Sequence, residues 1–403
     1  MPTDPHQFVY MDNHATTRVD PRVVDAMLPY FDEQYGNPHS VHAAGHEARE
    51  AVERARATIA QAIGADATEI VFTSGATESN NLAIRGVAER ERRRGNHLVS
   101  VATEHKAVLD PLARLARRGY DVTLLDVEQY ESPRAGWLDP QKVADAIRDD
   151  TCLVSVMLAN NEIGVIQPLT EIAALCKARG VLLHCDATQA VGKVPVDVGA
   201  LGVDMMSFTA HKIYGPKGIG ALYVRRRDPI VRLEPQIVGG GQQEGRRSGT
   251  LNVPGIVGFA TALKLCLEEL PHESQRLADL RNKLAADIME RLSDVRLCGP
   301  PLDSLRLPNN LNLSFGNVDG EALLLAMGNL AVSSGAACTS TDTGPSHVLL
   351  ALGMTEGDAR SSLRFGLGRF NGPADIEFAA DRVTSAVTEL RKLTSWPSPA
   401  KIG

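Results

Sequence analysis

Apolar residues in the first two-thirds of the chain recur with two periods, one typical of buried strands and one of helices. Short, nearly continuous apolar runs predict strands, and amphipathic or alanine-rich stretches predict helices between them. The predicted strands cover residues 68–73, 98–102, 121–127, 153–158, 181–185, 204–208 and 221–224. The predicted helices cover residues 43–63, a stretch from about 77, 107–118, 140–147 and 169–179.

This alternation predicts a parallel sheet with helices on both faces, because strands buried on both sides lose the polar-out alternation of exposed sheets. The pattern changes from residue 263, where amphipathic helices at 263–270 and 274–292 precede a short strand at 310–315 and a helix at 321–327. We therefore predict a large domain at 16–262. A smaller domain comprises 263–403 together with 1–15.

Composition narrows the class of protein. The 403 residues are 43% hydrophobic and 23% charged, which is typical of a soluble globular protein with a large core. The net charge of -7, from 42 basic and 49 acidic residues, argues against nucleic acid as the main ligand. No apolar run reaches about 18 residues, so no membrane span is expected. The N-terminus lacks the basic region and apolar core of a secretory signal.

The six cysteines suggest neither a metal site nor a disulfide framework, because none of them forms a C-x-x-C pair. A reducing, cytoplasmic location is the expectation that fits this usage.

Polar residues gather where the predicted strands end, and ligands of open parallel sheets bind beyond the carboxyl ends of the strands. Ser74-Gly75-Ala76-Thr77 follows the first predicted strand and opens a helix, which favours an anion-binding cup formed by backbone N–H groups. Simple capping of the helix by Ser74 or Thr77 explains the same residues equally well.

Three further strand ends carry side chains with two interpretations each. His105 could stack on a planar ligand or shuttle protons, although a lone histidine is more often structural. Asn160 and Asn161 could bind a ligand or serve a turn. Asp186, with Gln189 after it, ends a buried strand where a carboxylate is costly without a partner. A protonated pyridine nitrogen would be such a partner.

Lys212 follows another predicted strand, beside Thr209 and His211. It could be a solvated loop lysine, but a desolvated lysine also suits a Schiff base with a carbonyl cofactor. A phosphate cup, a ring stacker, a carboxylate and a lysine on one sheet edge are together the four needs of pyridoxal phosphate. We therefore expect that cofactor.

Motifs along residues 10–370 carry a resemblance to a known family. They are YMDNHATT, GNP, SGATESNN, TEHKAV, NNEIGVIQP, DATQAVGK, TAHKIYGPKGIG, GGGQQEGRRSGT, SSGAACTS and RFGLGRF. As a set they resemble the class V aminotransferases, specifically the cysteine desulfurases of the IscS/NifS type. The resemblance implies an α/β protein of the pyridoxal-phosphate-dependent aminotransferase fold type I. Its large domain would hold a mostly parallel seven-stranded sheet, beside a smaller α+β domain.

The resemblance also implies roles for the residues at the sheet edge. Lys212 would form the Schiff base, His105 would stack on the ring, Asp186 would bind the pyridine nitrogen and Gln189 the phenolic oxygen. The remaining cofactor contacts would be Ala76, Thr77, Asn161, Thr209 and His211, most of them at the phosphate. Thr250, next to Gly249, would reach the phosphate of a partner subunit, which implies a homodimer. Thr209-Ala210 stands where relatives often have serine and glycine.

Cys338 differs from the other cysteines because its segment is polar and contains glycine. A small buried cysteine is the plainer interpretation. At its ordinary pKa only a few per cent of a thiol is thiolate at neutral pH, so a nucleophile would need a nearby base such as His105. The resemblance implies that Cys338 takes the sulfur of L-cysteine as a persulfide and releases alanine.

The resemblance implies two further sets of contacts. Arg364, assisted by Asn161, would clamp the substrate carboxylate, for which a surface salt bridge is the alternative. The persulfide sulfur would pass to an iron–sulfur scaffold protein or a sulfur-carrier protein. General iron–sulfur assembly, nitrogenase maturation and tRNA thiolation all stay open as destinations.

The rival functions are a selenocysteine lyase, a class V aminotransferase or a platform that mainly binds scaffold and carrier proteins. A nucleotide-binding function is a poor match, because YGPKGIG is not a G-x-G-x-x-G turn after a first strand.

Overall fold

The computed structural model describes residues 8–93, 95–334 and 344–394, and its strands and helices are numbered in chain order. The strands are β1 Val9–Tyr10, β2 Ile70–Thr73, β3 His97–Val101, β4 Asp121–Leu125, β5 Thr151–Ser155, β6 Leu182–Asp186, β7 Met205–Thr209, β8 Gly220–Val224, β9 Val295–Leu297, β10 Asn310–Phe315, β11 Leu330–Ala331, β12 Ser333–Ser334 and β13 Ser362–Gly366. The helices are α1 Pro21–Met27, α2 Ala43–Ala62, α3 Ala76–Glu91, α4 Lys106–Ala116, α5 Pro140–Ala146, α6 Leu169–Ala178, α7 Val198–Leu201, α8 Val253–Arg291, α9 Gly320–Ala326, α10 His347–Ala351, α11 Glu356–Arg360 and α12 Pro373–Thr394.

A seven-stranded sheet in the order β2-β8-β7-β6-β5-β3-β4 forms the centre of the larger part of the molecule. Only β8 runs against the others, since it pairs antiparallel with both β2 and β7. The mostly parallel seven-stranded sheet is therefore confirmed. Because β2, β3, β5, β6 and β7 run in one direction, their carboxyl ends meet at one edge, and the polar residues that follow them meet there too.

A second, antiparallel sheet has the order β12-β13-β10-β9. It packs with α8 and α12 around a separate apolar core, to which the start of the chain also contributes through Val9 and Met11. Strand β1 pairs in parallel with β11, so the first described residues lie against the C-terminal part of the chain. The division into domains at 16–262 stays a prediction, and residue 262 lies inside α8.

Helix α8 differs from the sequence prediction, which placed two helices on either side of Pro271. It runs unbroken through that proline. A proline inside a helix removes one backbone hydrogen bond and costs about 3 kcal/mol. Packing offsets this, because Leu263 is buried in the core of the large sheet and Leu277 in the second core, so each half of the helix is anchored separately.

Among the described residues, no helix is both long and apolar enough to cross a membrane.

Candidate active site

A cavity of about 610 Å³ lies at the sheet edge where β2, β3, β6 and β7 end. Its volume is in the range of pockets that bind small molecules and cofactors. Ten of the twelve residues that the sequence predicts for the site line it: Ala76, Thr77, His105, Asn161, Asp186, Gln189, Thr209, His211, Lys212 and Arg364. The tertiary structure thus brings together residues separated by nearly 290 positions. Thr250 and Cys338 are the remaining two.

The N-terminus of α3 forms one end of the cavity. Gly75 precedes the helix with φ of 157°, a conformation that residues with a side chain rarely adopt. A Cβ atom at Gly220 would lie 2.7 Å from the Cα of Gly75, so the turn and β8 approach this closely only because residue 220 is glycine. The first N–H groups of a helix have no partner inside it, and here Ala76 and Thr77 occupy that turn facing the cavity.

Glu78 ties this turn to the glycine-rich loop at 239–250. Its carboxylate accepts a hydrogen bond from the Ser74 backbone at 2.8 Å and another from Arg247 Nε at 2.8 Å. Although burial opposes it, the bonds from Arg247 and Ser74 lower the pKa of Glu78. The carboxylate is therefore ionised, and Arg247 balances its charge beside a site suited to an anion.

Thr209 and His211 lie near the same end. The Thr209 hydroxyl donates to the Ile219 carbonyl at 2.9 Å, so its single hydrogen is already used in this conformation. Burial, followed by the charges of Lys212 and Lys217, lowers the pKa of His211 to about 4. His211 is therefore a neutral imidazole at neutral pH, with Nδ1 3.2 Å from the Thr16 hydroxyl.

Asp186 ends β6 with its carboxylate buried at the edge of the cavity, 5% exposed. Asn80 Nδ2 donates to Oδ2 at 2.7 Å, and the Thr188 backbone donates to Oδ1 at 2.9 Å. A carboxylate has about four lone-pair positions, so these two bonds hold the group and leave capacity for a ligand that donates a proton. This arrangement suits a protonated ring nitrogen.

His105 caps α4, since its Nδ1 accepts from the Ala107 backbone at 3.0 Å. Desolvation lowers the pKa of His105, and its ring faces the open cavity. A neutral ring whose Nδ1 accepts must carry its hydrogen on Nε2. His105 can therefore offer both a flat face and an N–H donor to whatever lies beside it.

Lys212 lies in a short turn directly after β7. Its Nζ donates to the carbonyl of Ala15 at 2.6 Å and also to the carbonyl of His14. Both carbonyls belong to the segment that follows β1. The lysine amine is thus held at the cavity by backbone that follows the β1–β11 pair.

Arg364 lies on β13 and is 6% exposed. Its Nη2 donates to Asp12 Oδ1 and to Ser333 Oγ, both at 2.9 Å, and its Nη1 donates to the Asn161 carbonyl at 3.2 Å. The surface salt bridge considered as the alternative is wrong, because the ion pair with Asp12 is largely buried. Arg364 Nε is buried without a hydrogen-bond partner among the described residues, so one N–H group of the guanidinium remains unsatisfied there.

Thr250 and Cys338 are the two predicted residues that are not among those lining this cavity. Thr250 is exposed and lines a different pocket, which it shares with Tyr30 and Tyr35. Cys338 lies outside the described residues. Before its segment, Ser333 bonds to Arg364, which lines the cavity, and after it Ser346 Oγ donates to Glu162 Oε2, next to the cavity residue Asn161.

The sequence analysis missed four residues that hold the site together: His14, Asn80, Lys193 and Arg247. All four lie in motifs noted in the sequence, YMDNHATT, SGATESNN, DATQAVGK and GGGQQEGRRSGT. Asn80 comes one helical turn after Ala76, so helical spacing could have placed it beside the same ligand. Nothing in the sequence indicates that Arg247 reaches Glu78, 169 positions away.

Comparisons with known proteins agree with this geometry. Residues 9–378 match the family model for aminotransferase class-V. A cysteine desulfurase IscS of Anaeromyxobacter dehalogenans is 52% identical over 387 residues, covering 96% of this chain and 94% of the relative. A cysteine desulfurase of Homo sapiens is 49% identical, covering 96% of this chain and 83% of that protein.

Solved structures give the same result. A structure described as a NifS-like protein superimposes with a TM-score of 0.87 at 38% identity, covering 95% of this chain and 100% of its own. A structure described as SspA in complex with cysteine superimposes with a TM-score of 0.78 at 36% identity, covering 89% and 98%.

Proposed function

The chain belongs to the class-V aminotransferase family, and from this premise we propose that it is a pyridoxal-phosphate-dependent cysteine desulfurase. It converts L-cysteine to L-alanine and holds the released sulfur as a persulfide on Cys338. The observation that carries the proposal is the gathering of ten predicted site residues around one cavity, in a chain about half identical to curated cysteine desulfurases over nearly its whole length.

The residues around the cavity fit pyridoxal phosphate. The first turn of α3 suits the phosphate, the Asp186 carboxylate suits the ring nitrogen, and Lys212 has its amine at the cavity. The unpartnered Nε of Arg364 is a buried donor of the kind a carboxylate would satisfy. When bound, the cofactor supplies an aldehyde for the substrate amine and a ring that withdraws electrons from the substrate's α-carbon.

The chain's own residues then bind, orient and move protons. Arg364 orients the substrate carboxylate, and the Asp12 and Ser333 contacts fix the plane of its guanidinium. Lys212 accepts the α-proton and later returns a proton to the product. His105, with its hydrogen on Nε2, would carry a proton at the substrate sulfur.

Cys338 performs the sulfur transfer. Its thiolate attacks the sulfur atom of the substrate, an S–S bond forms, and the substrate's C–S bond breaks. The electron pair of that bond stays with the carbon, which takes up a proton to give alanine. The balance is cysteine plus the Cys338 thiol giving alanine plus the Cys338 persulfide, with no external oxidant or reductant.

We propose that the protein works as a homodimer in which Thr250 reaches the phosphate of the partner's cofactor. Two observations support this. Thr250 is exposed and does not line the cavity of its own chain. Large apolar side chains stay exposed on the nearby N-terminal segment, among them Phe31 at 64% and Tyr35 at 77%. Exposed apolar area of this kind marks protein interfaces.

The persulfide sulfur passes to an iron–sulfur scaffold protein or a sulfur-carrier protein, and the reaction takes place in the cytoplasm. The name of the relatives at about 50% identity supports iron–sulfur assembly as the destination. The cysteines within the described residues are free thiols, which supports a reducing compartment.

The test is to load the purified protein with pyridoxal phosphate, add L-cysteine and measure alanine, 3-mercaptopyruvate and enzyme-bound persulfide. Alanine with persulfide is expected. Cys338→Ala should abolish alanine formation while the cofactor's visible absorbance remains, and Lys212→Ala should lose that absorbance. A wild-type protein that stays colourless with pyridoxal phosphate would refute the proposal.

The same assay separates the rival enzymes. A transaminase acting on L-cysteine would give 3-mercaptopyruvate in place of alanine, because transamination leaves the C–S bond intact. A selenocysteine lyase would keep its activity on selenocysteine in the Cys338→Ala variant, because selenium can leave without a cysteine nucleophile.

A further inference from the structure

A chain of directed hydrogen bonds runs behind the cavity and begins at Arg306, which is buried. Arg306 Nη1 donates to Asn310 Oδ1 at 2.8 Å. This bond fixes the orientation of the Asn310 amide, so its nitrogen points away from Arg306. The nitrogen donates to the Glu162 carbonyl at 3.1 Å and lies 3.2 Å from His14 Nε2. Because an amide nitrogen only donates, His14 Nε2 must be the acceptor in this contact.

His14 consequently carries its hydrogen on Nδ1. That atom lies 2.9 Å from Gln189 Oε1, an oxygen that only accepts. The ring is 1% exposed, and desolvation, followed by the charge of Lys193, lowers the pKa of His14 well below its ordinary value. A Cβ atom at Gly366 would lie 2.8 Å from His14 Cδ2, so this glycine leaves the space the ring occupies. His14 is thus neutral, in one tautomer and one position.

Lys193 supplies the second donor to the same oxygen, with its Nζ 2.6 Å from Gln189 Oε1. At the other end of the amide, Gln189 Nε2 donates to the His14 carbonyl at 2.9 Å. An amide nitrogen carries two hydrogens. The second one has no partner among the described residues, and Gln189 lines the cavity.

We propose that His14 and Lys193 are positioning residues that hold the Gln189 amide with its nitrogen, and not its oxygen, as the group available to a ligand in the cavity. A glutamine amide can turn over at little cost in shape, because its two ends are nearly alike in size. Two donors on Oε1 and one acceptor on Nε2 select a single orientation. The inference rests on the proposed function, in which Gln189 donates to the phenolic oxygen of pyridoxal phosphate.

The first test compares loaded proteins. His14→Ala removes the donor while keeping the backbone carbonyl that Lys212 uses. We expect its affinity for pyridoxal phosphate to fall about tenfold, the order of one buried hydrogen bond. The visible absorbance band, which reports an anionic phenolic oxygen, should weaken at fixed pH. Lys193→Met should act in the same direction.

Two further variants separate positioning from loss of structure. His14→Gln keeps one donor and one acceptor and should restore most of the visible band. His97 is an equally buried histidine, bonded to Thr151 and Thr123 at the far end of β3. His97→Ala should lose comparable thermal stability without changing the spectrum. If His14→Ala and His97→Ala gave the same spectrum, the inference would be overturned.

The second test uses the protein without cofactor, so it does not depend on the proposed function. The imidazole of ¹⁵N-histidine-labelled protein is observed by NMR, and the His14 signal is assigned by its loss in His14→Ala. We expect hydrogen on Nδ1 and no titration between about pH 5 and 8. A ring protonated on Nε2, or one that titrates in this range, would overturn the inference even if the protein binds pyridoxal phosphate. Failure of wild type to bind the cofactor would instead count against the function.

Discussion

The two walls of the cavity are built differently. The sheet wall comprises Thr77, His105, Asp186 and Lys212, each of which ends a strand of the seven-stranded sheet or lies shortly after one. The second wall contains Arg364 of β13, which is held by Asp12 after β1 and by Ser333 of β12. The sheet wall has the groups that a cofactor needs, and the second wall has the groups that a substrate carboxylate needs.

The walls also differ in how completely their polar groups are satisfied. On the sheet wall, Asp186 and His105 are held by bonds to Asn80 and to backbone N–H groups. On the second wall, Arg364 retains a buried donor that has no partner among the described residues, and the chain beyond Ser334 leads to Cys338. A firmly held group suits a cofactor that stays bound, whereas an unsatisfied group suits a substrate that binds and is released.

The largest expected effect lies on the sheet wall. Asp186→Ala removes the carboxylate that we assign to the ring nitrogen of the proposed cofactor and leaves the Asn80 amide without its acceptor. We expect kcat for alanine formation to fall by roughly 10³-fold or more, since acid–base and charge effects of this kind contribute about 10²–10⁴. Asp204→Asn is the matched control, because Asp204 is buried beside β7 and bonds to Leu183 and Arg225 away from the cavity. If kcat fell less than tenfold in Asp186→Ala, the role of the sheet wall in catalysis would be contradicted.

On the second wall, Arg364→Lys keeps the charge but loses the planar fork. We expect KM for L-cysteine to rise about 100-fold with a much smaller change in kcat, because a lysine cannot grip a carboxylate through two parallel bonds. Arg369→Lys is the control, since Arg369 is a similarly buried arginine paired with Asp20 outside the cavity. An equal rise in KM in both variants would show that the effect is structural and not specific to the substrate.

A smaller effect is expected where the glycine-rich loop touches the sheet wall. Arg247→Met leaves the Glu78 carboxylate unbalanced beside the first turn of α3, so affinity for pyridoxal phosphate should fall about tenfold by repulsion of the phosphate. Arg246→Met is the neighbouring control, because Arg246 pairs with Glu244 instead. Fluorescence titration with the cofactor measures both. If the affinity of Arg247→Met for the cofactor were unchanged, the ion pair between Arg247 and Glu78 would not contribute to phosphate binding.

The smallest effect concerns pH and the interior of the sheet. His184 lies between Ser155 and Ser207, and burial lowers its pKa to about 4. The unfolded chain therefore takes up the proton first as pH falls below about 6.5. The contribution of neutral His184 to the free energy of unfolding is fully present above that pH. It is lost as the pH falls toward 4, by up to about 3 kcal/mol. His184→Asn should show a smaller drop in thermal midpoint between about pH 7 and 5 than wild type does. Equal drops would assign the acid sensitivity to other groups.

Much of the sheet wall could be predicted from the chain alone. Apolar runs located the strands to within a few residues, and the rule that ligands bind at the carboxyl ends of parallel strands then gathered Asp186, His105 and Lys212 at one edge. The continuous helix α8 could not be predicted, because the cost of Pro271 is local whereas the packing that offsets it is distant. The sequence placed Thr209 at the sheet edge, where it lines the cavity. It could not show that the Thr209 hydroxyl donates to the Ile219 carbonyl, because this bond depends on how β8 packs beside β7.

The amino-acid sequence by itself determined which residue types end the strands, and hence the cofactor chemistry, because strand period and strand-end composition are local properties. Only the tertiary structure decided which partners orient those residues. Asn80 on Asp186, Arg247 on Glu78, and the bonds from His14 and Lys193 to Gln189 each depend on the packing of α3, the glycine-rich loop or the segment after β1. A hydrogen bond between groups distant in sequence is set by three-dimensional packing to within a fraction of an ångström, and no periodicity along the chain encodes that distance.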